Sequence, residues 1–184
     1  MGGTQIRPAE PRDAAAIARV HVCAWQVAYR GLVPDAVLDG LSVAQREEVW
    51  RGILAGEGAA SSTLVARRNG SLVAFCSLAA PSRDDDAAPA ICEIAAIYVE
   101  PASWRQGIGR ALLAAAVRRA LDDGFDDVTL WAFAQNRAGR AFYERIGFEP
   151  DGAQRWHEPS GQQVIRWRAA CTAVLEAAGL PPSR

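Results

Sequence analysis

The stretch that decides the fold comprises residues 93–113 and reads E-I-A-A-I-Y-V-E-P-A-S-W-R-Q-G-I-G-R-A-L-L. Its first part lies in an apolar run over residues 91–99, which predicts a β-strand. Its last part begins a helix predicted over residues 107–122, and Gly107 and Gly109 occupy the turn between strand and helix. Glycine lets backbone N–H groups approach a ligand closely, and the first helical turn adds unpaired donors and the positive end of the helix dipole. The stretch therefore predicts an anion site suited to a pyrophosphate.

The glycine pair alone does not establish that a ligand binds here, because a turn from a strand into a helix can need glycines for structural reasons only. No lysine follows the glycines, so the pattern is not a Walker A loop, and the third glycine of the dinucleotide-binding pattern is missing. Arg105 and Arg110 flank the turn. Their guanidinium groups are candidates for charge-assisted contacts to a phosphate.

A second group of polar residues lies on a helix predicted over residues 136–146. Asn136 and Tyr143 are seven residues apart, which places them on one helix face two turns apart, with Arg140 between them. The apolar residues of the segment form a separate face that predicts core packing. An ordinary exposed polar face is the alternative explanation for the amide and the phenol.

The remaining elements predict a mixed α/β sheet with helices on both faces, because strands and helices alternate only in the middle of the chain. Asn69-Gly70 separates two apolar runs and predicts a type I′ hairpin turn, since both central residues need positive φ. Asp13 is predicted to cap the first helix. We expect one domain over residues 1–184, with residues 171–184 as a peripheral tail. The other predicted strands are Thr4–Arg7, Thr63–Arg67, Leu72–Leu78, Asp127–Phe133 and Val164–Arg168, and the other predicted helices run from Asp13 to Tyr29 and from Pro34 to Leu54.

Composition excludes several classes of function. The 184 residues carry a formal net charge of -1, and all 20 basic residues are arginine, so there is no basic excess for nucleic-acid binding. Apolar runs are too short to span a membrane, and the N-terminus lacks the apolar core of a signal peptide. The four cysteines are scattered and the two histidines are isolated, which disfavours a metal site and predicts free thiols in the cytoplasm. We expect the three aspartates Asp84–Asp86, in a loop predicted over Pro81–Pro89, to be solvated.

The two motifs together resemble the GNAT superfamily of acyl-CoA-dependent N-acyltransferases. Residues 93–113 are similar to its coenzyme-A loop, R/Q-x-x-G-x-G/A. Residues 136–148, N-R-A-G-R-A-F-Y-E-R-I-G-F, are similar to its Asn-plus-Tyr helix. The motifs have the family's order and spacing, and the resemblance covers about residues 4–170. One departure is Trp104, which stands at the Arg/Gln position of the loop.

The resemblance implies a central sheet of about six to seven strands in which two neighbouring parallel strands splay apart in a V. It also implies acetyl-CoA as co-substrate, with the pantetheine arm between the strand over residues 91–99 and the strand over residues 127–133. Asn136 would hydrogen-bond the pantetheine, and main-chain groups of the first strand would pair with it as a sheet does. The implied cofactor-binding residues are Ile97, Tyr98, Val99, Arg105, Gln106, Gly107, Ile108, Gly109, Arg110, Asn136 and Arg140.

The implied reaction is direct attack of a primary amine on the thioester carbonyl, with Tyr143 donating a proton to the departing thiolate. A base must deprotonate the amine, because a simple alkyl ammonium has a pKa near ~10.4. Glu93 is the candidate base, since strand parity predicts that it shares a face with Ala95, Ile97 and Val99. A surface carboxylate at the strand end is the alternative role for Glu93. His21 is predicted to be a packing residue.

The acceptor is expected on the side of the first two helices, where Trp25 and Tyr29 lie one turn apart and are candidates for a pocket wall. Plain core packing is the alternative for both rings. An aromatic wall without an acidic cluster argues against a highly cationic acceptor, unless the Asp84–Asp86 loop folds over the pocket. The expected function is therefore acetylation of a small-molecule amine. The alternatives are a non-catalytic acyl-CoA-binding or sensor domain and an acetyltransferase acting on protein N-termini. Family members often dimerise, so a homodimer is expected.

Overall fold

The fold is built on one sheet that is flanked by helices on both faces. The computed structural model describes residues 3–56 and 61–181, and within these ranges seven strands form a single sheet in the order β1-β2-β3-β4-β5-β7-β6. This architecture confirms the predicted mixed sheet. The strands are β1 Gln5–Pro8, β2 Ser61–Arg68, β3 Ser71–Ala79, β4 Ile91–Val99, β5 Asp127–Phe133, β6 Glu149–His157 and β7 Gln162–Ala170, and the helices are α1 Ala14–Ala28, α2 Asp35–Asp39, α3 Val43–Leu54, α4 Ile108–Asp122, α5 Arg137–Arg145 and α6 Cys171–Ala177.

The strand connections follow from local sequence signals. Asn69 and Gly70 have φ values of 50° and 80°, the positive values that a type I′ turn needs, so the β2–β3 hairpin is confirmed. β4 and β5 are parallel, because α4 carries the chain back across one face of the sheet between them. The other neighbouring strands pair in antiparallel fashion.

β4 and β5 separate halfway along their length. Their pairing begins at Ile91 with Asp127 and ends at Ile94 with Leu130. The last five residues of β4, 95–99, therefore have no partner on β5, whose remaining residues pair only with β7. The predicted V-shaped splay is confirmed, and we call the space between the two strand ends the gap.

Each face of the sheet has its own hydrophobic core. α4 packs on one face, where Leu112, Leu113 and Val117 are fully buried and the helix contacts β2, β3 and β4. α1 and α3 cover the opposite face near Phe75 and Trp50. Within the described ranges, none of the helices is long and apolar enough to cross a membrane.

The C-terminal segment departs from its prediction as a peripheral tail. α6 lies against α4, and Cys171, Val174 and Leu175 are at most 1% exposed within the larger core. Cys171, Val174 and Leu175 have the i, i+3, i+4 spacing of a buried helix face, but seven residues are fewer than the window in which such a period can be recognised. Residues 171–177 thus belong to the folded core.

Asp13 is the N-cap residue of α1, as predicted, but its side chain makes no capping hydrogen bond to that helix. Its carboxylate instead accepts hydrogen bonds from Arg7 at 2.7 and 2.9 Å and from the backbone N–H of Glu10 at 2.9 Å. Burial opposes ionisation of Asp13, but the bonds from Arg7 and Glu10 outweigh it and lower the pKa of the carboxyl. Asp13 therefore ties the start of α1 to β1.

Candidate active site

The free edge of β4 forms one wall of the gap. Glu100 N donates to Val73 O on β3 at 2.8 Å. In an antiparallel pair, every second residue of a strand directs its main-chain N–H and C=O groups towards the partner strand. Tyr98, two residues before Glu100, therefore also directs these groups towards β3, where it pairs with Phe75. The main-chain N–H and C=O groups of Ile97 and Val99 then face the gap. The structure thus places Ile97 and Val99 as predicted, whereas the main chain of Tyr98 is turned away.

A β-bulge in β4 changes the orientation of the side chains beyond it. Ile94 pairs with Leu78 and Ala96 pairs with Ser77, so Ala95 is an extra residue without a partner on β3. An inserted residue reverses the in-and-out alternation of a strand. The side chains of Ala95 and Ala96 both line a cleft on the α1 face of the sheet.

The bulge shows that the predicted orientation of Glu93 is wrong. Glu93 pairs with Ala79, which lies on the same face of β3 as Ser77, the partner of Ala96. Ile97 and Val99 instead pack into the core on the α4 face. Glu93 therefore faces α1 and α3. Counting alternate residues along a strand without a bulge could not reveal that Glu93 and Ile97 lie on opposite faces of the sheet.

The N-terminus of α4 opens at the wide end of the gap. Gly107 is the N-cap residue with φ of 78°, and among the described residues no side chain caps the helix. The first-turn N–H groups of α4 are therefore available to an anion. A Cβ at Gly109 would lie 3.5 Å from Val99 Cγ2 and 3.6 Å from Phe142 Cζ, which is ordinary contact. The protein's own packing thus does not require glycine at position 109.

The loop before α4 is held by side chains that the family pattern does not predict. The indole Nε1 of Trp104 donates a hydrogen bond to Val99 O at 2.7 Å. One of the main-chain carbonyls that face the gap therefore already accepts a hydrogen bond from a side chain. Gln106 donates to Ala102 O at 3.1 Å and accepts a hydrogen bond from Arg68. The predicted cofactor role of Gln106 is therefore restricted to its main chain in this arrangement.

The arginines around the turn are placed in different ways. Arg105 is exposed in a left-handed backbone conformation with φ of 59°, beside the α4 N-terminus. Arg110 donates to Ala177 O at 2.5 Å, at the C-terminal end of α6. Arg140 donates to Ala134 O at 3.1 Å, in the connection between β5 and α5. A cofactor contact of Arg110 or Arg140 stays a prediction, and each guanidinium already has a main-chain partner.

Asn136 is the N-cap of α5, whereas the sequence predicted it within the helix. Its Oδ1 accepts a hydrogen bond from Gly139 N at 3.0 Å. A Cβ at Gly139 would lie 2.5 Å from Asn136 Nδ2, closer than real atoms approach. Gly139 is therefore a positioning residue that holds the Asn136 amide in place at the end of β5, and the sequence analysis did not identify it.

Gly139→Ala is expected to displace the Asn136 side chain without unfolding the protein. Alanine favours a helix over glycine by about 1 kcal/mol, which offsets the weakened cap of similar size. We expect the KM for the thioester substrate to rise about tenfold while the thermal midpoint changes by only a few degrees. Steady-state kinetics and thermal denaturation check this result.

The control for this prediction is a double-mutant cycle with Asn136→Ala. If Gly139 acts only through Asn136, adding Gly139→Ala to Asn136→Ala changes the KM no further. Fully additive effects of the two substitutions would contradict the positioning role.

Tyr143 lies on α5, half-buried against Phe148 and Trp167, whose ring centroids are 6.0 and 6.3 Å away. Burial raises the pKa of Tyr143, and the nearby Tyr98 and Cys76 raise it further. Tyr143 therefore keeps its proton at neutral pH, and its role as a proton donor stays a prediction.

Glu93 is 3% exposed and forms a bidentate ion pair with Arg83. Arg83 donates from Nε to Oε2 at 3.0 Å and from Nη2 to Oε1 at 2.7 Å. The carboxylate raises the pKa of Arg83, chiefly through these hydrogen bonds. Glu93 is thus a buried carboxylate paired with Arg83 rather than a surface residue at the strand end. The sequence analysis missed Arg83, because nothing local distinguishes one arginine in a loop.

Aromatic rings bridge the gap on the α1 face. Trp25 and Tyr29 make edge contacts with Phe133 at the end of β5, at centroid distances of 6.0 and 4.7 Å. Trp25 also lies 6.5 Å from Tyr98 on β4. His157 of β6 packs beside Phe133 at 5.6 Å. Trp25 and Tyr29 are therefore packing residues beside the gap, and a contact of either ring with an acceptor stays a prediction.

A cleft of about 320 Å³ lies next to this aromatic group, lined by the bulge residues, α1, α3 and Arg83. His21 is buried there, and its Nδ1 accepts a hydrogen bond from Trp50 Nε1 at 3.2 Å. Burial and the positive charge of Arg46 lower the pKa of His21 to about 3. His21 is therefore neutral with its proton on Nε2, so it has no free lone pair with which to act as a base.

The prediction that Asp84–Asp86 are solvated is wrong for Asp84, whose side chain is 8% exposed, whereas Asp86 is exposed although it is paired. Both oxygens of Asp84 lie 3.1 Å from Trp131 Nε1 on β5. Asp86 forms a bidentate pair with Arg166 on β7, at 2.5 and 2.7 Å, and Asp84 also contacts Arg166 at 3.4 Å. The loop thus folds over the α1 face of the sheet, but these two carboxylates are already paired.

The split parallel strands, the uncapped helix N-terminus and the Asn–Tyr helix define a coenzyme-dependent acyltransferase fold. The Acetyltransferase (GNAT) family matches residues 25–148, which is more than half of the chain. The chain therefore belongs to the GNAT acetyltransferase family.

Individual relatives agree with this assignment. The uncharacterized N-acetyltransferase YuaI of Bacillus subtilis (strain 168) is 30% identical over 71% of this chain and 72% of its own length. The probable N-acetyltransferase Rv2775 of Mycobacterium tuberculosis (strain H37Rv) is 30% identical over 87% of this chain and 88% of its own. The crystal structure of PaiA N-acetyltransferase from Thermoplasma acidophilum, in complex with coenzyme A, aligns with a TM-score of 0.72 at 18% identity. It covers 89% of this chain and 98% of that one, and at this identity it shows the fold.

Proposed function

We propose that this acetyltransferase transfers the acetyl group of acetyl-CoA directly to a primary amine on a small-molecule acceptor, in a ternary complex. One observation carries the proposal: the separation of β4 from β5 after Ile94 leaves an unpaired strand edge that leads to an uncapped helix N-terminus. An extended pantetheine arm can pair with that edge, and a pyrophosphate fits the N–H groups of α4.

The proposed reaction needs two proton transfers, one from the attacking amine and one to the leaving thiolate. The neutral amine attacks the thioester carbonyl carbon, a C–N bond forms and the C–S bond breaks. Tyr143 gives its phenolic proton to the leaving thiolate, and solvent later restores that proton. The raised pKa of Tyr143 means that the phenol carries its proton when the substrate binds.

Glu93 is the proposed base for the amine proton, and Glu93→Gln tests it. The glutamine carbonyl still accepts one hydrogen bond from Arg83, so the fold is kept. We expect kcat to fall about a hundredfold at pH 7. The deficit should shrink as the pH approaches the pKa of the amine, near ~10.4 for an alkyl amine, because neutral amine is then present without help from a base. A deficit that is equal at every pH would instead make Glu93 a purely structural partner of Arg83.

The experiment that tests the whole proposal is release of free CoA thiol from acetyl-CoA across a panel of amines, with acetyl-CoA binding measured separately by calorimetry. Amine-dependent thiol release supports the proposal. Tight acetyl-CoA binding without thiol release would favour the alternative of a non-catalytic acyl-CoA-binding domain. Turnover confined to peptides with a free N-terminus would favour the alternative of a protein N-terminal acetyltransferase.

A further inference from the structure

The cleft beside the gap carries an unusual balance of charge. Two of its lining residues, Arg46 and Arg83, are cationic, and among the described residues no carboxylate lines it. His21 adds no charge, because its pKa is lowered to about 3. The walls between these groups are apolar, formed by residues of α3 such as Trp50 and Ile53.

Arg46 is the free cation of this cleft. It is half-buried on α3, and its guanidinium has no hydrogen-bond or ion-pair partner among residues 3–56 and 61–181. It lines the same cleft as His21, where burial and the charge of Arg46 lower the pKa of the imidazole. A guanidinium without a protein partner at an apolar cleft is available to an anionic ligand.

Arg83 has one nitrogen to spare. Its Nε and Nη2 are engaged by Glu93, whereas Nη1 has no partner within the described part of the chain. The Arg83 side chain is 55% exposed, and it lines the same cleft as Arg46. Two guanidinium groups thus border one apolar cleft, which is the arrangement that proteins use for carboxylates.

The cleft adjoins the place where the proposed reaction would occur. Ala95 and Ala96 form part of its lining, and they follow directly after the point where β4 leaves β5. A molecule seated here therefore has one end at the guanidinium groups and the other at the opening of the gap. A volume of about 320 Å³ accommodates an acceptor of amino-acid size.

We infer that the acceptor is an amine that also carries a carboxylate, of the amino-acid class with an apolar side chain, and that Arg46 recognises the carboxylate with help from Nη1 of Arg83. This inference rests on the proposed function, since it names the acceptor of the same reaction. Asp84 and Asp86 do not oppose it, because Arg166 pairs with both carboxylates.

The test compares L-leucine, L-leucinamide and spermidine as acceptors for the wild-type protein, Arg46→Gln and Arg51→Gln. Arg51 is a matched control on the same helix, where it pairs with Glu47 and Glu48 outside the cleft. We expect the wild type to prefer leucine, and Arg46→Gln to reduce the leucine-to-leucinamide ratio of kcat/KM about tenfold to a hundredfold. Comparing ratios between variants cancels the intrinsic reactivity of each amine. Arg51→Gln should keep the wild-type ratio.

A binding measurement separates this inference from the proposed function. Calorimetry with N-acetyl-L-leucine and N-acetyl-L-leucinamide reports carboxylate recognition without turnover, and we expect the acid to bind more tightly to the wild type but not to Arg46→Gln. A leucine-to-leucinamide ratio that is unchanged in Arg46→Gln, with amine-dependent thiol release intact, would overturn the inference while the acetyltransferase proposal stands. Equal binding of the acid and the amide would overturn it as well. Selective binding of the acid without any thiol release would leave the carboxylate site in place and contradict the acetyl transfer.

Discussion

Tyr143→Phe is expected to lower kcat at least about a hundredfold while the Kd for acetyl-CoA stays unchanged. The substitution removes a single hydroxyl from a half-buried ring that keeps its contacts with Phe148 and Trp167. General acid catalysis contributes about 10²–10⁴-fold, and a factor of 100 corresponds to about 2.7 kcal/mol of transition-state stabilisation. Steady-state kinetics and calorimetric titration of acetyl-CoA separate the two quantities.

The pH dependence gives a second readout for Tyr143. Burial raises the pKa of its phenol above 10, so Tyr143 stays protonated up to at least pH 10 and causes no loss of wild-type rate below that pH. The deficit of Tyr143→Phe should therefore be equal from pH 6 to pH 9. A variant that keeps the full kcat would remove Tyr143 from the acid role. A raised Kd with kcat intact would make it a binding residue.

Gly109→Asp is expected to weaken acetyl-CoA binding at least about a hundredfold. A Cβ fits at this position in ordinary contact with Val99 and Phe142, so the variant should fold. Its carboxylate would stand at the first turn of α4, where the pyrophosphate is proposed to bind, and like charges in contact cost several kcal/mol. Titration calorimetry measures the loss of affinity, and thermal denaturation verifies the fold.

Ala111→Asp is the matched control, because Ala111 is exposed on the same helix about half a turn further round. It introduces the same charge near the same helix terminus and should leave acetyl-CoA affinity within about threefold of the wild type. Equal losses for both variants would indicate a general electrostatic effect. Unchanged binding by Gly109→Asp would place the pyrophosphate away from the helix.

Much of the fold could be predicted because its signals are local. Asn69-Gly70 fixes a turn through backbone conformation, and the glycines at 107 and 109 mark the start of α4. The bulge at Ala95 could not be predicted, because the apolar run Ile91–Val99 reads the same with or without an inserted residue. One unseen residue was therefore enough to reverse the predicted facing of Glu93.

The candidate site was predictable where the family motifs extend and not beyond them. Asn136 and Tyr143 belong to a recognisable helix, although the cap and the close contact at Gly139 appear only in three dimensions. Arg46 and Arg83 come from segments without a motif. Their meeting at one cleft depends on how α3 and the β3–β4 loop pack on the sheet, and no local pattern encodes that packing.

The loop between β3 and β4 contacts both β4 and β5 near the point where the pairing between these two strands ends. Arg83 binds Glu93 on β4, while its neighbour Asp84 binds Trp131 on β5. Two consecutive side chains of one loop thus connect β4 and β5, which share no main-chain hydrogen bonds beyond that point. The connection between β4 and β5 at this level therefore includes side-chain contacts, which a substitution of Asp84 or Arg83 would remove without touching a main-chain hydrogen bond of the sheet.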